Sequence, residues 1–216
     1  MKKVALLMLS VLTLSLFAGC GGKFDASAYV KALLDNSYKN DSAAFVEMKI
    51  GSAEEASELY EQGLDAEMQG VLAGVSMSEE AENNYRTFFK DLLAKADYKV
   101  GDAEKQSDGS YIVTVTYKQM KIFEPALTAY LAELESKTAE WQTQASEGSI
   151  TEDEVYEQMY LLLLSHMQTA LSSVEYGDEQ TTTITVELVN NVYTPSDSDF
   201  YNLESLMFDV DAMSAM

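Results

Sequence analysis

The apolar residues of this chain recur at two different spacings, and the change between them restricts the possible folds more than any other feature. Early in the chain the spacing is three or four residues, as in Tyr29, Val30, Leu33, Leu34 and Tyr38. Later, apolar and polar residues alternate, with Tyr111, Val113, Val115 and Tyr117 in one stretch and Ile184, Val186 and Leu188 in another. The first spacing is typical of an amphipathic helix and the second of a half-exposed strand. The pattern therefore predicts an α+β fold with an antiparallel sheet.

Start signals predict where the helices begin. Three segments have the form of a capping box, in which a hydroxyl and a carboxylate satisfy free backbone N–H groups: Ser52-x-x-Glu55, Ser76-x-x-Glu79 and Thr151-x-x-Glu154. Pro125 suits the first turn of a long helix that continues to Trp141. A last amphipathic helix is predicted from Phe200, Leu203, Met207 and Val210.

The strands are predicted from alternation and from turn residues. The segments "YKV" and "SYIVTVTYKQM" are separated by "GDAEKQSDG", in which Asp108-Gly109 is a favourable turn pair. The segment "QTTTITVELVNNVYT" is predicted as one further strand. The two long helices lie between these strands in the sequence, and no internal repeat divides the chain.

The first twenty residues have the organisation of a secretory leader. Lys2 and Lys3 precede an apolar run over residues 4–18. As a helix this run would extend for only about 22 Å, which is shorter than a bilayer core of about 30 Å. The run therefore predicts a signal peptide rather than a membrane span.

The sequence Phe17-Ala18-Gly19-Cys20 resembles the lipobox of bacterial lipoproteins, with Phe17 where leucine is usual. The resemblance implies cleavage between Gly19 and Cys20 and a diacylglyceryl group on the Cys20 sulfur. It predicts a signal peptide over 1–19, the lipidated cysteine and a short tether over 20–23, and a single α+β domain over 24–216. The alternative is a plain secretory signal that leaves a free thiol, which is disfavoured outside the cell.

Cys20 is the only cysteine in the chain, so its assignment has consequences for the rest of the molecule. A lipidated Cys20 leaves no thiol for disulfides, zinc or redox chemistry. It would attach the chain to the extracytoplasmic face of the cell membrane, and two acyl chains suffice for stable anchoring. The short tether predicts a domain close to the membrane surface.

The chain is strongly acidic, with a net charge of −22. Loss of Lys2 and Lys3 with the leader would make the mature chain more negative still. Such a charge repels phosphate backbones, which argues against nucleic-acid binding. Two interpretations remain open: the charge keeps an extracytoplasmic protein soluble, or it forms a docking surface for a basic partner or for cations.

The lipobox, the N-terminal helices and the long helices beside a curved antiparallel sheet together resemble a group of uncharacterised Gram-positive lipoproteins. The stretches that carry the resemblance are "YVKALLDNSYKND", "EEASELYEQGLDAEM" and "NNVYTPSDSDF". Domains of that group look like the nuclear-transport-factor-2-like (cystatin-like) fold, with helices packed on the sheet. The resemblance implies a cone-shaped cavity between sheet and helices, but no particular activity, because this fold hosts both enzymes and binding modules.

No residue pattern predicts a catalytic or metal site. His166, the only histidine, follows Leu162 and Leu163 on an apolar helix face, which favours a structural, hydrogen-bonded role. Three acidic clusters lack the spacing of a calcium loop: Glu152-Asp153-Glu154, Asp197 with Asp199, and Asp209 with Asp211. Thirteen tyrosines are present, and in ketosteroid-isomerase-type members of the resembling fold a tyrosine and an acid act together.

The sequence therefore predicts a membrane-anchored extracytoplasmic lipoprotein whose domain binds a partner protein or a small apolar ligand without catalysis, cofactor or metal. The main alternative is a small enzyme that uses a tyrosine and a carboxylate in a closed cavity. A solute receptor for a transporter is disfavoured, since two-lobed receptors normally need a longer chain.

Overall fold

The structure is a computed structural model, and it describes residues 16–17 and 24–209. Its elements are seven helices and five strands within that part of the chain. The helices are α1 (Ala26–Lys39), α2 (Ala43–Glu47), α3 (Ala53–Val71), α4 (Glu79–Ala94), α5 (Phe123–Ser146), α6 (Glu152–Ser172) and α7 (Asp197–Phe208). The strands are β1 (Leu16–Phe17), β2 (Asp97–Lys105), β3 (Tyr111–Lys121), β4 (Glu175–Val189) and β5 (Val192–Pro195).

The strands form one antiparallel sheet in the order β1-β5-β4-β3-β2. β3 and β4 pair over most of their length, with Tyr111 opposite Val186 and Tyr117 opposite Gln180. Short connections join β2 to β3 and β4 to β5, while α5 and α6 connect β3 to β4. The α+β class and the antiparallel sheet predicted from the two spacings are confirmed.

The two faces of the sheet differ as the alternation predicted. The inner face carries Val113, Val115, Tyr117, Ile184 and Val186, all of them buried. Helices α1 and α7 lie against the sheet, and their buried side chains include Tyr29, Tyr38, Phe200 and Met207. These side chains form the packed core between the two helices and the sheet, and the cone-shaped cavity that the resemblance implied stays a prediction.

The outer face of the central strands is polar. Thr114 lies opposite Thr183 and Thr116 lies opposite Thr181. These four side chains are half-buried or exposed. β-Branched hydroxyl side chains favour the strand conformation without requiring a covering layer. The central strands are therefore packed on one side and open to solvent on the other.

The start of α1 is fixed to the sheet edge by aromatic rings. The Asp25 carboxylate accepts a hydrogen bond from the Ala28 backbone N–H and so caps α1. Just before it, the Phe24 ring stacks on the Tyr193 ring of β5, with 3.7 Å between the ring centroids. Paired aromatic rings of this kind stabilise the fold by more than the burial of their surface area alone. The chain therefore enters the described fold beside β5.

Three local predictions were wrong in detail. The N-cap of α4 is Ser78, whose hydroxyl accepts from the Ala81 N–H, and not Ser76. The segment "GDAEKQSDG" is not wholly a loop, because β2 continues through a register shift after Val100 as far as Lys105. The segment "QTTTITVELVNNVYT" is not one strand, because the turn at Asn190 and Asn191 divides it into β4 and β5.

Candidate functional site

Helices α5 and α6 form an antiparallel hairpin, which is the first candidate site. They pack chiefly on each other, and α6 also lies against α4. Pro125 is in the first turn of α5, as predicted. Thr151 and Glu154 form the predicted capping box at the start of α6, and the bond from the Thr151 backbone lowers the pKa of Glu154. Gly148, with φ of +71°, allows the chain to reverse between the helices.

Three contacts stabilise the hairpin, one between its own helices and two with α4 or its N-cap. His166 of α6 places its Nε2 atom 3.1 Å from the Glu133 Oε2 atom of α5. Glu157 of α6 accepts hydrogen bonds from the Ser78 backbone N–H at 2.6 Å and from the Ser78 hydroxyl at 2.7 Å. The Tyr85 hydroxyl of α4 donates to the Tyr160 carbonyl at 2.7 Å. These bonds fix the orientation of α6 on α4.

A groove of about 590 Å³ lies between the two helices near their connection. Trp141, only 7% exposed, lies in its wall. The groove is lined by Lys137, Glu140, Trp141, Gln144, Ile150, Glu154, Glu157, Gln158, Leu161 and Leu162. Its volume is within the range of small-molecule sites, and its lining combines apolar side chains with carboxylates.

The hairpin is more acidic than the chain as a whole. Residues 123–172 contain nine Asp and Glu residues and a single Lys, Lys137. Two large apolar side chains are exposed on the same helices, Leu131 at 56% and Tyr156 at 51%. Carboxylates together with exposed apolar side chains are complementary to a basic, partly apolar partner.

A second groove, of about 560 Å³, lies between α3 and α4. Its lining includes Met68, Leu72 and Val75 together with Arg86. The Arg86 guanidinium donates at 2.7 Å to Glu61 and also pairs with Asp65. Because this cation is already held by two carboxylates of α3, the groove offers less unpaired charge to a ligand than the hairpin does.

The interior contains a third candidate, a set of buried polar residues that sequence reasoning missed. Glu67 of α3 and Glu204 of α7 are each 1% exposed. Burial raises the pKa of Glu204 to about 8, and its interaction with Glu67 opposes that rise. Tyr38 of α1 is fully buried, and its hydroxyl is close enough for both carboxyl groups to affect its pKa, which burial raises first of all. Tyr38, Glu67 and Glu204 are called the buried acid cluster below.

A signal for the buried acid cluster was present in the sequence. Glu67 continues the helical stripe of Ala56, Tyr60 and Leu64. Glu204 follows Phe200 by four residues. A carboxylate at a core position of a helix is unusual, because burying a charge is costly. The position of each glutamate on its stripe, rather than any motif, would have identified it.

A related polar contact lies nearby on α1. The Tyr98 hydroxyl of β2 donates to the Asp35 carboxylate at 2.7 Å, and Lys31 and Lys39 also pair with Asp35. Burial alone would raise the pKa of Asp35, but the bonds from Lys31 and Tyr98 and the charge of Lys39 lower it. The Tyr98 and Tyr38 rings meet edge to face, 5.8 Å apart.

The residues singled out in the sequence are not brought together. His166 makes the single contact with Glu133 described above, which fits the structural interpretation. Among residues 24–209, no group of three or more His, Cys, Asp and Glu side chains has the arrangement of a metal site. Asp199 and the Glu152–Glu154 segment lie in first turns of helices, where carboxylates satisfy the helix dipole. Asp211 lies outside the described residues.

The lipidation prediction concerns Gly19 and Cys20, which also lie outside the described residues, so it stays a prediction. Within residues 16–17 and 24–209, the helices are too short or too polar to cross a membrane. The backbone of Leu16 and Phe17 pairs with β5.

The fold is similar to that of a protein of known structure. A Bacillus subtilis subsp. subtilis strain 168 protein described as a "putative lipoprotein (ycdA)" superimposes with a TM-score of 0.53 at 15% sequence identity. The similarity covers 84% of this chain and 55% of that protein, so the chain spans about half of the neighbour's length. No protein-family model and no curated protein matches the sequence. At this identity the likeness establishes a shared fold.

Proposed function

We propose that the chain is a lipid-anchored lipoprotein at the extracytoplasmic face of the membrane, and that its α5–α6 hairpin docks a basic partner there without catalysis. The anchoring part is supported by the lipobox-like segment ending at Cys20 and by the fold shared with a protein described as a lipoprotein. The resemblance to the nuclear-transport-factor-2-like fold stays a prediction.

The docking part depends chiefly on one observation, the nine carboxylates and one lysine of the hairpin. Such a surface attracts a cationic partner over a distance comparable to the Debye length, about 8 Å at physiological salt. Short-range affinity would come from the exposed Leu131 and Tyr156 and from the groove beside Trp141. Aromatic and large apolar anchors inside a polar rim are typical of protein interfaces.

The enzyme alternative is less well supported. It requires a tyrosine and a carboxylate that a substrate can reach. The structure does bring Tyr38 close to two carboxyl groups, but all three side chains are at most 1% exposed. Neither of the two grooves described above is lined by them.

The anchoring proposal makes a direct prediction. Replacement of Cys20 by alanine should abolish labelling with a radioactive fatty acid and move the protein from the membrane to the soluble fraction. The reason is that the Cys20 sulfur is the proposed attachment atom for the acyl chains that hold the protein in the membrane. Continued membrane fractionation of the Cys20→Ala protein after cleavage of the leader would contradict the proposal.

The docking proposal is tested with a charge reversal on the exposed face of α5, Glu135→Lys with Glu140→Lys. The probe is an amphipathic helical peptide of lysine and leucine, and its Kd is measured at low and at physiological salt. We expect binding to weaken about tenfold in this variant at low salt, because its surface loses the complementary charge. The matched control, Glu47→Lys with Glu58→Lys, changes the net charge equally at exposed positions outside the hairpin.

Equal weakening in both double variants would show a response to net charge alone and would contradict docking at the hairpin. A small apolar molecule that co-purifies with the native protein, observed by native mass spectrometry, would instead favour ligand binding in the groove beside Trp141. Loss of that molecule on replacement of Leu161 by a charged residue would then assign it to this groove.

A further inference from the structure

The end of the sheet that carries the β4–β5 turn has exposed apolar side chains. The turn residues are Asn190 and Asn191, both with positive φ. Directly before them, Leu188 is 36% exposed and Val189 is 48% exposed. Successive residues of a strand point to opposite faces of the sheet, so this end is apolar on both faces. Residues 188–192 are called the sheet tip below.

The sheet tip is uncharged although the chain is strongly acidic. Residues 188–196 contain no Asp, Glu, Lys or Arg. The Leu188 side chain lies against the β2–β3 turn, because a Cβ atom on Gly109 would be 3.2 Å from the Leu188 Cδ2 atom. Two exposed carboxylates border the tip in the sequence and in that turn, Glu187 and Asp108. The tip therefore suits an apolar surface, and the bordering charges disfavour an anionic one.

The chain enters the described fold at this same end. The Phe24 ring stacks on Tyr193, which directly follows the sheet tip. The same ring meets the ring of Tyr111, the first residue of β3, with 5.6 Å between the centroids. Cys20 precedes Phe24 by four residues, so their Cα atoms are at most about 14 Å apart. An acyl chain on Cys20 would thus enter the bilayer close to the sheet tip.

The backbone that precedes Cys20 gives the same placement. Leu16 pairs with Tyr193 and Phe17 with Val192, so β1 runs toward the sheet tip. Cys20 follows Phe17 by three residues, which span at most about 11 Å. In the chain that still carries its leader, Cys20 is therefore close to the sheet tip along both of its flanks.

The acidic α5–α6 hairpin joins the opposite end of the sheet. Lys121, the last residue of β3, pairs with Glu175, the first residue of β4, and both helices lie between them in the sequence. The 11 residues of β3 separate this end from Tyr111 by roughly 33 Å. A membrane at the sheet tip would leave the attachment of the hairpin well beyond a Debye length of about 8 Å.

We propose that the sheet tip is the surface that the anchored domain applies to the lipid bilayer, with Leu188 and Val189 in the interfacial region of the lipid. The inference rests on the proposed lipid anchor at Cys20 and adds which face of the domain meets the membrane. The anchor supplies the affinity, and the two side chains supply the orientation. The α5–α6 hairpin is then held away from the membrane, where a basic partner can reach it.

The test uses the lipidated protein in phosphatidylcholine vesicles. Because lipidation blocks Cys20, a cysteine introduced elsewhere is the only free thiol and accepts an environment-sensitive fluorophore. In Val189→Cys we expect lipids with a nitroxide near the headgroup to quench the emission at least about twofold, because interfacial segments enter the lipid by about 5–10 Å. In Tyr156→Cys, the exposed control on α6, the same lipids should leave the emission unchanged.

A second experiment places the fluorophore beside the sheet tip. Ser107→Cys is an exposed position of the adjoining β2–β3 turn. Its emission should be quenched in the otherwise unchanged chain, and most of the quenching should disappear when Leu188→Ser and Val189→Ser are added. The matched control, Leu131→Ser with Tyr156→Ser, removes two exposed apolar side chains from the hairpin and should leave the quenching as it was.

Equal quenching at Val189→Cys and Tyr156→Cys would mean that the domain has no preferred face and would overturn the proposal. Shielding of the Val189→Cys label from iodide in the vesicle-free Cys20→Ala chain would show that protein covers the tip, and would also overturn it. The intact mass of the purified protein separates the two proposals. A mass without acyl groups would contradict the anchor and this inference together, whereas an acylated protein with an unquenched tip label would contradict the orientation alone.

Discussion

At the scale of single residues, Asp35 shows how a carboxylate can be buried without destabilising its helix. Its side chain is 6% exposed, yet it has three partners, Lys31, Lys39 and Tyr98. The charge is therefore compensated within α1 and by one strand. Glu67 and Glu204 are a different case, because both are only 1% exposed and burial raises the pKa of Glu204 to about 8.

Tyr98→Phe should remove one of these partners and little else. The ring contacts with Tyr38 and with the Lys39 ammonium group, 4.3 Å from the ring centroid, would be retained. Loss of the bond to a buried carboxylate should lower the free energy of unfolding by about 1.5 kcal/mol at neutral pH. Because the pKa of Asp35 is lowered in the folded state, this stabilisation is present above the ordinary value of 3.8 and is lost as pH falls below it.

Urea unfolding at neutral and at strongly acidic pH measures the difference. Tyr176→Phe is the matched control, since its hydroxyl donates at 2.7 Å to the neutral Lys95 carbonyl. The Tyr98→Phe effect should shrink in acid whereas the Tyr176→Phe effect should not. A Tyr98→Phe effect of equal size at both pH values would contradict the assigned role.

At the scale of elements, α6 is attached to α4 because the Glu157 carboxylate of α6 binds the N-terminus of α4. Glu157 satisfies both the backbone N–H and the hydroxyl of Ser78, the N-cap of α4. A carboxylate at a helix N-terminus is also favoured by the helix dipole. One side chain of the hairpin thus completes the cap of a neighbouring helix.

Glu157→Ala should destabilise the fold by about 2 kcal/mol, because it removes two hydrogen bonds to a carboxylate. Gln158→Ala, on the exposed face of the same helix, should change stability by less than about 0.5 kcal/mol. Thermal unfolding gives the comparison, and hydrogen exchange should show the first turn of α4 losing protection only in the Glu157 variant. Similar behaviour of the two variants would mean that the contact with Ser78 contributes nothing measurable.

The bounds of the helices and strands were predictable where residues close in the sequence determine them. They were less predictable where tertiary contacts determine them. Capping residues gave the starts of α3 and α6, and alternation gave β3 and its exposed face. Ser76-x-x-Glu79 has the spacing of a capping box and Ser78-x-x-Ala81 does not, but the bond to Glu157, remote in sequence, favours Ser78 as the N-cap. The Asn190-Asn191 turn was available as a signal, since both residues adopt positive φ, of 52° and 64°, as a tight hairpin requires.

The candidate site was less predictable than the fold. The acidity of the hairpin can be counted in the sequence, but the groove depends on how α5 and α6 pair. The buried acid cluster depends on three helices meeting, and pairwise spacing within one helix cannot show that. The division into a signal peptide, a tether and a single domain stays a prediction.

At the scale of the whole molecule, charge is the dominant property. The net charge of −22 means that like charges face each other across much of the surface. Self-repulsion of this kind opposes the compact state, and dissolved salt screens it. Exposed ion pairs, such as that of Lys118 with Asp97, contribute little to stability.

The melting temperature should therefore rise when sodium chloride is increased from about 20 mM to about 300 mM, where the Debye length falls well below 10 Å. Thermal unfolding followed by circular dichroism measures this. Sucrose, which is uncharged, serves as the control for general solute effects. A melting temperature that falls with added salt would mean that favourable ion pairs outweigh the repulsion.

The one-sided packing of the central strands has a consequence for how sequences of this fold can diverge. Val113, Val115 and Ile184 must fit α1 and α7, so a change at any of them demands a compensating change in a helix. Thr114, Thr116, Thr181 and Thr183 have no such neighbour layer to satisfy and need only keep strand propensity. Over evolutionary time the outer face can accept substitutions singly while the inner face changes only in concert. A protein family built on this sheet would accordingly preserve its architecture while its visible surface becomes unrecognisable.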